Sequence, residues 1–447
     1  MGKVVLISLV GNTDNGVIID KSRYENIISI NFLKNNDKND VSIHALLKDL
    51  KQLKLEPSEV MMDLLIIACT MYAADTRISR DIHGEDGWTR LIDLFIPVSD
   101  LDLWTNQKIL LEKIFRFLTG DIWNINFRKR SDENLLISPK GKLSKYGMPY
   151  KTDTVCLFSG GMDSLIGAID LLSNNITPLL LGHSKSSEVS TYQVKCEKAL
   201  LNNFPNLIIK RIDAYISIPK QKINSEVENT ERGRSFLFLS LGAICASSLN
   251  TSSNLYVPEN GLISLNIPLT PLRIGSHSTR TTHPFYFELM KNLFDALKSG
   301  VKIINPYQFK TKGEMLLECK FSDLVAKTES MSCSHPSGRW YSMGNIHCGY
   351  CVPCINRRAA FLKAGLTDSN SYREDILKSK GLKISKAGGA DILAFKYMIE
   401  KHKRNPNYLF AAIRITGPLG DDVDAFIKVY DRGLKEVEEL IKNVKLV

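Results

Sequence analysis

The sequence lacks the long apolar runs that place a chain in a membrane. No stretch of about 18 uncharged apolar residues occurs in it, so we expect no transmembrane helix. The amino-terminal run VVLISLV leads after seven residues into the turn residues GNTDNG, which is typical of a first strand and not of a signal peptide. Lys3, followed at once by this strand, argues against a lipid anchor on Gly2. These absences predict a cytoplasmic protein without a membrane partner.

The sequence also lacks low-complexity tracts, internal repeats and long blocks of like charge. Hydrophobic residues make up 44% and charged residues 24%, a balance typical of folded globular chains. Lysine and arginine total 58 against 48 acidic residues, which gives a net charge of +10. A basic excess spread along the chain suits an anionic ligand such as a nucleotide, and it permits nucleic acid as a partner without requiring it.

The length and the order of the apolar runs divide the chain into several parts. A chain of 447 residues exceeds one compact core of ordinary size. From residue 153, short apolar runs alternate with amphipathic ones, which predicts a parallel, doubly wound α/β sheet. The earlier residues mix strand-like runs, among them VVLISL and GVIID, with helical runs. The predicted parts are an N-terminal α+β accessory domain (1–127), a linker (128–152), the α/β domain (153–325), a cysteine-rich subdomain (326–365) and a helical tail (366–447).

The cysteines fall into two groups. Five occur singly in apolar segments and are expected to be small core residues: Cys69, Cys156, Cys196, Cys245 and Cys319. The other four, Cys333, Cys348, Cys351 and Cys354, have the spacing C-x14-C-x2-C-x2-C. Four thiolates complete a tetrahedral zinc site and leave no open position, which predicts a structural role. An iron–sulfur cluster is the alternative, since closely spaced cysteines also suit one.

The segment TVCLFSGGMDSLIGAI passes from one apolar run through Ser-Gly-Gly directly into another. In an open α/β sheet, ligands bind beyond the carboxyl ends of the strands. Glycines there let the backbone approach a ligand, and the following helix offers free N–H groups to an anion. A tight turn with a capping serine is the structural alternative. The predicted anion site comprises Ser159, Gly160, Gly161, Met162, Asp163 and Ser164.

The motif SGGMDS resembles the SGGxDS pyrophosphate loop of the PP-loop ATP pyrophosphatases. A Walker A loop has the pattern G-x-x-x-x-G-K-[ST], with Lys-Ser or Lys-Thr after the four-residue gap and second glycine. This pattern does not occur in the sequence. The resemblance implies a PP-loop fold that binds ATP and Mg²⁺, and a reaction that splits ATP between its α and β phosphates. It also implies that the loop holds the pyrophosphate and that Ser164 takes part in catalysis.

Two basic segments accompany this loop. In TKGE, Thr311 and Glu314 match a helix capping box, and the resemblance implies that Lys312 also reaches the phosphates. In ERGRSF, Arg232 and Arg234 precede an apolar helix, where basic side chains oppose the helix dipole unless an anion lies nearby. This segment is similar to the GRN segment of the QueC family, with Ser235 in place of asparagine. Arg234 is therefore the third catalytic candidate, with Ser164 and Lys312.

A long polar loop follows the strand-like run NLYVPENG. A loop at the carboxyl end of a central strand is a natural substrate site, although a free surface loop is the alternative. We expect Glu259, Arg280 and His283 to recognise the substrate or transfer protons.

The segment CGYCVPCINRRAAF resembles the CGxCxxCxxRxxAF end of the QueC family, the 7-cyano-7-deazaguanine synthases, whose four cysteines bind zinc. The gap before Cys348 is longer here than in the simple enzymes. The resemblance covers about residues 153–365. The added N-terminal segment, with the stretch YAADTRISR…WTRLIDLFIPVSDLDLW, looks like that of the QatC group of the Qat antiphage defence systems, and so does the later stretch STRTTHP.

The resemblance implies an ATP-dependent C–N ligase that adenylates the carboxylate of a 7-carboxy-7-deazaguanine-type small molecule. Ammonia or an amine of a partner protein from a defence operon would then displace AMP, giving an amide, a nitrile or a protein conjugate. Two other hypotheses remain from the sequence. One is a tRNA thiolation enzyme of the PP-loop class, and the other is a non-catalytic nucleotide-binding scaffold.

Overall fold

The computed structural model describes residues 2–34, 40–140, 150–183, 187–218, 228, 230–270, 280–334 and 346–447. It contains two five-stranded sheets, and every pair of neighbouring strands in both is parallel. The α/β fold class expected from the sequence is therefore confirmed. Within the described residues, no helix is both long and apolar enough to cross a membrane.

The first sheet has the strand order β3-β2-β1-β4-β5. Its parallel pairing corrects the α+β arrangement expected for residues 1–127, because strand direction depends on crossover connections that a local pattern does not reveal. The run GVIID was also expected as a strand, yet it is irregular, and the second strand begins at Asn26. The strands are β1 (Lys3–Val10), β2 (Asn26–Phe32), β3 (Asp40–Val41), β4 (Leu91–Val98) and β5 (Ile122–Lys129).

The described part of this region contains four helices, of which α2 and α4 begin at capping side chains. Ser58 and Asp100 accept backbone N–H bonds at the starts of α2 and α4, and Gly120 ends α4 with a left-handed φ of 78°. Helix α2 is apolar on all sides and almost wholly buried. The helices are α1 (His44–Gln52), α2 (Glu59–Arg77), α3 (Arg80–His83) and α4 (Leu101–Thr119).

The second sheet has the order β10-β9-β6-β7-β8. The chain reverses its direction of winding between β6 and β9, which makes the crevice at their carboxyl ends the expected ligand position. The strands are β6 (Thr154–Leu157), β7 (Leu179–His183), β8 (Lys210–Ala214), β9 (Ser253–Tyr256) and β10 (Val301–Ile304). The helices are α5 (Met162–Ser173), α6 (Ser187–Asn203), α7 (Arg234–Ser247), α8 (Gly261–Leu265), α9 (Pro284–Ala296), α10 (Lys312–Glu318) and α11 (Ser322–Lys327).

The remaining helices form a separate apolar core at the carboxyl end of the chain. Helix α15 is strongly amphipathic and packs its apolar side, which includes Val429 and Val437, against Ile355 of α12 and Leu262 of α8. The helices are α12 (Val352–Ala364), α13 (Ala387–Arg404), α14 (Tyr408–Ala412) and α15 (Val423–Ile441).

The strand that ends the first sheet continues into the predicted linker. Residues 128 and 129 belong to β5, and Arg130 is fully buried, where its Nε donates to Asp63 at 2.9 Å. Residues 128 and 129 are therefore part of the first sheet. Arg130 follows them and is held against α2, because a buried guanidinium needs a carboxylate partner.

A buried ion network joins the first sheet to the second. The Arg90 side chain is fully buried and its Nη2 lies 3.0 Å from Asp75 Oδ1 and 2.7 Å from Asp121 Oδ2. Arg80 Nη1 lies 2.6 Å from Asp121 Oδ1, so both arginines bind this carboxylate. The second oxygen of Asp75 accepts the backbone N–H of Gly233 at 2.7 Å, immediately before α7. Since α2 and α7 share one apolar core, this network connects the two sheets.

Arg90→Met should destabilise the protein strongly, because it removes the fully buried cation between Asp75 and Asp121 and leaves them only the contacts with Arg80 among the described ion pairs. Removing one partner from a buried network typically costs about 3–5 kcal/mol. The measurement is the midpoint of thermal and urea unfolding followed by circular dichroism. Arg404→Met is the matched control, because Arg404 forms an exposed pair with Glu400 and should cost under about 1 kcal/mol. Equal shifts in the two variants would contradict the assigned role of the network.

Candidate active site

The Ser-Gly-Gly loop connects β6 to α5 at the carboxyl edge of the second sheet. Gly160 has a φ of 79°, and a Cβ on it would lie 2.9 Å from the backbone nitrogen of Gln193. A Cβ on Gly161 would lie 3.0 Å from the carbonyl oxygen of Met331. Both glycines are thus required by local geometry. The loop leaves the first N–H groups of α5 directed at the crevice, where an anion can accept them.

The two serines of the loop interact with each other. Ser159 Oγ lies 3.2 Å from Ser164 Oγ, and Ser164 Oγ donates to the carbonyl of Gly161 at 3.0 Å. Ser159 Oγ also accepts the N–H of Gly161 at 3.3 Å. Each hydroxyl can rotate toward a bound anion, because a hydroxyl carries one donor on a freely rotating bond.

The carboxylate of Asp163 joins three elements. Lys312 Nζ, at the start of α10, lies 2.9 Å from Asp163 Oδ1. Asn260 Nδ2, after β9, donates to Asp163 Oδ2 at 2.7 Å. The sequence predicted Asp163 and Lys312 as site residues and did not include Asn260, although Asn260 directly follows Glu259 at a strand end. The structure brings all three side chains together.

The capping box predicted at the start of α10 is confirmed. Thr311 Oγ1 accepts the N–H of Glu314 at 3.0 Å, and Glu314 Oε2 accepts the N–H of Thr311 at 2.9 Å. These bonds define the first turn of α10 and so direct Lys312 at the loop.

Glu259 lies at the carboxyl end of β9, next to the loop. Burial and the neighbouring negative charge of Asp163 raise the pKa of Glu259 to about 7. Thr282 Oγ1 donates to its Oε2 at 2.9 Å, and Asn305 Nδ2 binds its backbone carbonyl at 2.9 Å. A carboxylate with a pKa near neutral can accept and release a proton at physiological pH.

Arg280 and His283 each bind residues of other structural elements. Arg280 donates to the carbonyl of Phe117 in α4 at 2.6 Å and covers the Phe117 ring at 4.4 Å. His283 caps α9 by accepting the N–H of Phe285 through Nδ1, and its Nε2 contacts Thr416 Oγ1 at 3.1 Å. Burial, with the nearby positive charge of Arg280, lowers the pKa of His283 to about 3. In this geometry both residues join α4 and the tail to α9.

The two arginines before α7 differ in their surroundings. Arg232 donates to the carbonyl of Thr119 at 2.9 Å and lies over the Trp88 ring at 4.8 Å, so it ties α7 to the first sheet. Arg234 is half-buried at the first turn of α7 and has no ion pair within the part of the chain that the structure describes. Its cationic group is therefore available to an anion at this edge of the sheet.

The four clustered cysteines form a compact buried site. Their sulfurs all lie within 4.8 Å of one another, with Cys333 and Cys351 at 3.9 Å and Cys348 and Cys354 at 3.8 Å. Sulfurs at the corners of a tetrahedron around zinc stand about 3.8 Å apart, given Zn–S bonds of about 2.3 Å. The geometry fits a single tetrahedral ion. A multi-iron cluster would separate the thiolates further, because iron and sulfide lie between them.

The cysteine site supports the loop directly. The N–H of Met331, two residues before Cys333, donates to the carbonyl of Gly160 at 2.8 Å. Arg357, three residues after Cys354, is fully buried, pairs with both oxygens of Asp368 and donates to Ser330 Oγ at 2.8 Å. The sequence motif contained Arg357, but only the structure reveals that it binds the irregular segment that contacts the loop.

Comparisons with known proteins support the resemblance to the QueC family at a coarse level. No protein-family model matches the chain. Three relatives named 7-cyano-7-deazaguanine synthase are similar to it. The Methanothrix thermoacetophila protein is 23% identical over 49% of this chain and 98% of its own length. The Methanocaldococcus jannaschii protein is 40% identical over 17% and 32%, and the Paracoccus denitrificans protein is 29% identical over 20% and 37%. This distant similarity supports a QueC-like family.

The extent of these matches leaves much of the chain unaccounted for. The full-length match to the Methanothrix relative covers only about half of this chain, and the chain spans about a third of the other two relatives. The matches support the general character of an ATP-dependent QueC-like enzyme. They do not extend to the activity of the whole chain.

The cysteine geometry predicts one zinc and no iron per chain. Cys351→Ala should lose the metal, because three thiolates bind zinc far less tightly than four. The measurement is metal analysis by mass spectrometry of the purified protein. Cys69→Ala, which removes a buried thiol from α2, is the control and should retain the metal. Iron in place of zinc, or full metal content in Cys351→Ala, would contradict the assignment.

The buried His283 predicts a stability that falls in acid. Its folded pKa of about 3 lies below the ordinary value of 6.5, so the unfolded chain binds the proton more readily and stability declines as the pH falls from 6.5 toward 3. His283→Asn keeps a cap acceptor without a titrating group. The loss of urea stability between pH 7 and pH 5 should therefore be smaller in this variant. His44→Asn, at a half-exposed position, should retain the wild-type dependence, and an unchanged dependence in His283→Asn would refute the neutral buried state.

Proposed function

We propose that the protein is an ATP-dependent C–N ligase that adenylates the carboxylate of a 7-deazaguanine-type molecule. The observation that carries the proposal is that the SGGMDS loop contacts both Lys312 and the segment that leads into the four-cysteine site. The names of the relatives support the substrate class. The half-buried Arg234 and the near-neutral Glu259 at the same sheet edge support a reaction at this position.

In this proposal the loop binds the β and γ phosphates of ATP. The first N–H groups of α5 and the hydroxyls of Ser159 and Ser164 donate to the phosphate oxygens. Lys312, which lies 2.9 Å from Asp163, would then contact the phosphates. Asp163 would be the residue to hold a Mg²⁺, which prefers carboxylate and phosphate ligands and would neutralise phosphate charge. No Walker lysine is needed, because the bond that breaks lies between the α and β phosphates.

The chemistry proceeds in two transfers. A carboxylate oxygen of the substrate attacks the α phosphorus, and the bond to the bridging oxygen breaks so that pyrophosphate leaves with the electron pair. An amine then attacks the carbonyl carbon of the acyl-adenylate, and AMP leaves as the new C–N bond forms. Arg234 offsets the charge that develops on the α phosphate. Glu259 accepts the proton that the amine releases.

The tRNA thiolation hypothesis is less well supported by the cysteines. A persulfide-forming cysteine is exposed and has a lowered pKa. The described cysteines outside the cluster are all buried, and burial raises the pKa of Cys156, Cys196, Cys245 and Cys319 to about 12. The four others are close enough to share one ion.

The amine acceptor is proposed to be an amino group of a partner protein, as the resemblance to the QatC group suggests. The parts of the chain outside the match with the relatives supply surface for such a partner. Mass spectrometry of co-expressed neighbouring gene products, searching for a deazaguanine mass shift, tests this step. Turnover with free ammonia alone, giving the nitrile, would place the protein with the simple synthases instead.

Ser164→Ala should lower the rate of pyrophosphate release by about 10²–10³, the usual effect of removing one donor to a developing charge. The measurement is release of AMP and pyrophosphate from ATP with 7-carboxy-7-deazaguanine and ammonia. Ser173→Ala is the matched control, since Ser173 ends the same helix and its hydroxyl donates to the carbonyl of Ile169 within that helix. Wild-type turnover in Ser164→Ala, or release of ADP in place of AMP, would refute the proposal.

A further inference from the structure

The C-terminal helix α15 contacts the turn that carries Lys312. The full-length match to the Methanothrix relative covers 49% of this chain, so long segments have no counterpart in that enzyme. Helix α15, near the carboxyl terminus, packs against α10 and α12. The contacts of α15 with its neighbours therefore indicate its role.

Glu436 of α15 binds on both sides of Lys312. Its Oε1 accepts the hydroxyl of Thr311 at 2.5 Å, and its Oε2 accepts the backbone N–H of Gly313 at 3.3 Å. A Cβ on Gly313 would lie 2.7 Å from Glu436 Oε2, which explains a glycine in the first turn of a helix. One carboxylate thus holds the residues directly before and after Lys312.

Arg432, one turn earlier on α15, strengthens this contact. Its Nε donates to Glu314 Oε1 at 2.6 Å, and its Nη2 donates to Glu314 Oε2 at 3.1 Å and to the carbonyl of Phe309 at 2.8 Å. A bidentate guanidinium–carboxylate pair fixes both distance and orientation. Glu314 is also the capping-box residue of α10, so Arg432 acts on the same turn.

The charge of Glu436 also matters for the crevice. Burial raises the pKa of this carboxyl, a cost that is offset by its bonds to a hydroxyl and to an N–H group at a helix start, where negative charge is favoured. Glu436 already accepts the N–H of Gly313 at the start of α10. A phosphate would therefore contact this turn through the side chain of Lys312. The Lys312 side chain is 10% exposed, and its ammonium pairs with Asp163.

We propose that α15 is a positioning element of the ATP site, in which Glu436 and Arg432 hold the first turn of α10 so that Lys312 reaches the β and γ phosphates. This inference rests on the proposed function of Lys312. It assigns to the C-terminal tail a part in nucleotide binding, exercised through the backbone of α10 and without contact to the nucleotide. A helix that merely anchored the tail would affect folding stability and leave nucleotide selectivity unchanged.

The test compares Glu436→Gln with Glu439→Gln. The new amide places a donor opposite donors at Gly313 or Thr311, whereas Glu439 forms an exposed pair with Lys442 on the same helix. Affinities for Mg-ATP and for AMP are measured by calorimetry without the carboxylate substrate, so that no turnover occurs. We expect Glu436→Gln to bind ATP at least tenfold more weakly with an unchanged AMP affinity, and Glu439→Gln to match the wild type for both.

Equal weakening of ATP and AMP binding, or no change in either, would overturn the positioning role while leaving the proposed function intact. A wild-type protein that binds neither nucleotide would overturn both. If circular dichroism finds Glu436→Gln unfolded, Arg432→Gln takes its place, because the Arg432 side chain is 43% exposed. That variant should lose ATP affinity severalfold with AMP affinity retained, and loss of neither would refute the inference.

Discussion

The carboxylate of Asp163 is the contact on which the candidate site depends. It binds Lys312 from α10 and Asn260 from the end of β9, so that residues far apart in the chain meet at one side chain. Each partner is held in turn by its own element, since Asn260 also caps α8 and the turn of Lys312 is held by Glu436. Half-buried charges of this kind need geometry supplied from several directions. The surrounding helices supply it.

The two sheets share one strand order, and in the second the candidate site lies beyond the carboxyl ends of β6 and β9, where the chain changes direction. In the first sheet the chain itself satisfies the polar groups there. Asp63 accepts the N–H of Ser99 and the guanidinium of Arg130, and Glu59 accepts the N–H groups of Ile137 and Ser138. In the second sheet the glycine loop and the first turn of α5 place backbone N–H groups at the corresponding position, where an anion can accept them. The first sheet instead supplies α2, which packs on α7 and holds the segment that carries Arg234.

Local patterns predicted much of the site and little of its surroundings. The α/β alternation, the capping box at Thr311 and the spacing of the four cysteines are properties of neighbouring residues, so they were readable directly. Arg280 and His283 were predicted as substrate ligands from a polar loop, and a polar residue in a loop has the same sequence pattern whether it faces solvent or a helix end. Their contacts with Phe117 and Thr416 come from elements more than a hundred residues away. The parallel course of the first sheet escaped prediction for the same reason.

By itself the sequence determined the turn chemistry of the SGGMDS loop, because glycines and a helix start impose that conformation locally. It likewise determined the cysteine set, whose thiolates can meet at one ion through short connections. Only the tertiary structure decided which charges meet. Whether Lys312 rests on Asp163, whether Arg232 serves the fold or a ligand, and whether α15 reaches the site depend on how separate helices pack. Packing is decided by the apolar faces of all the elements together, since no single segment can bury its own.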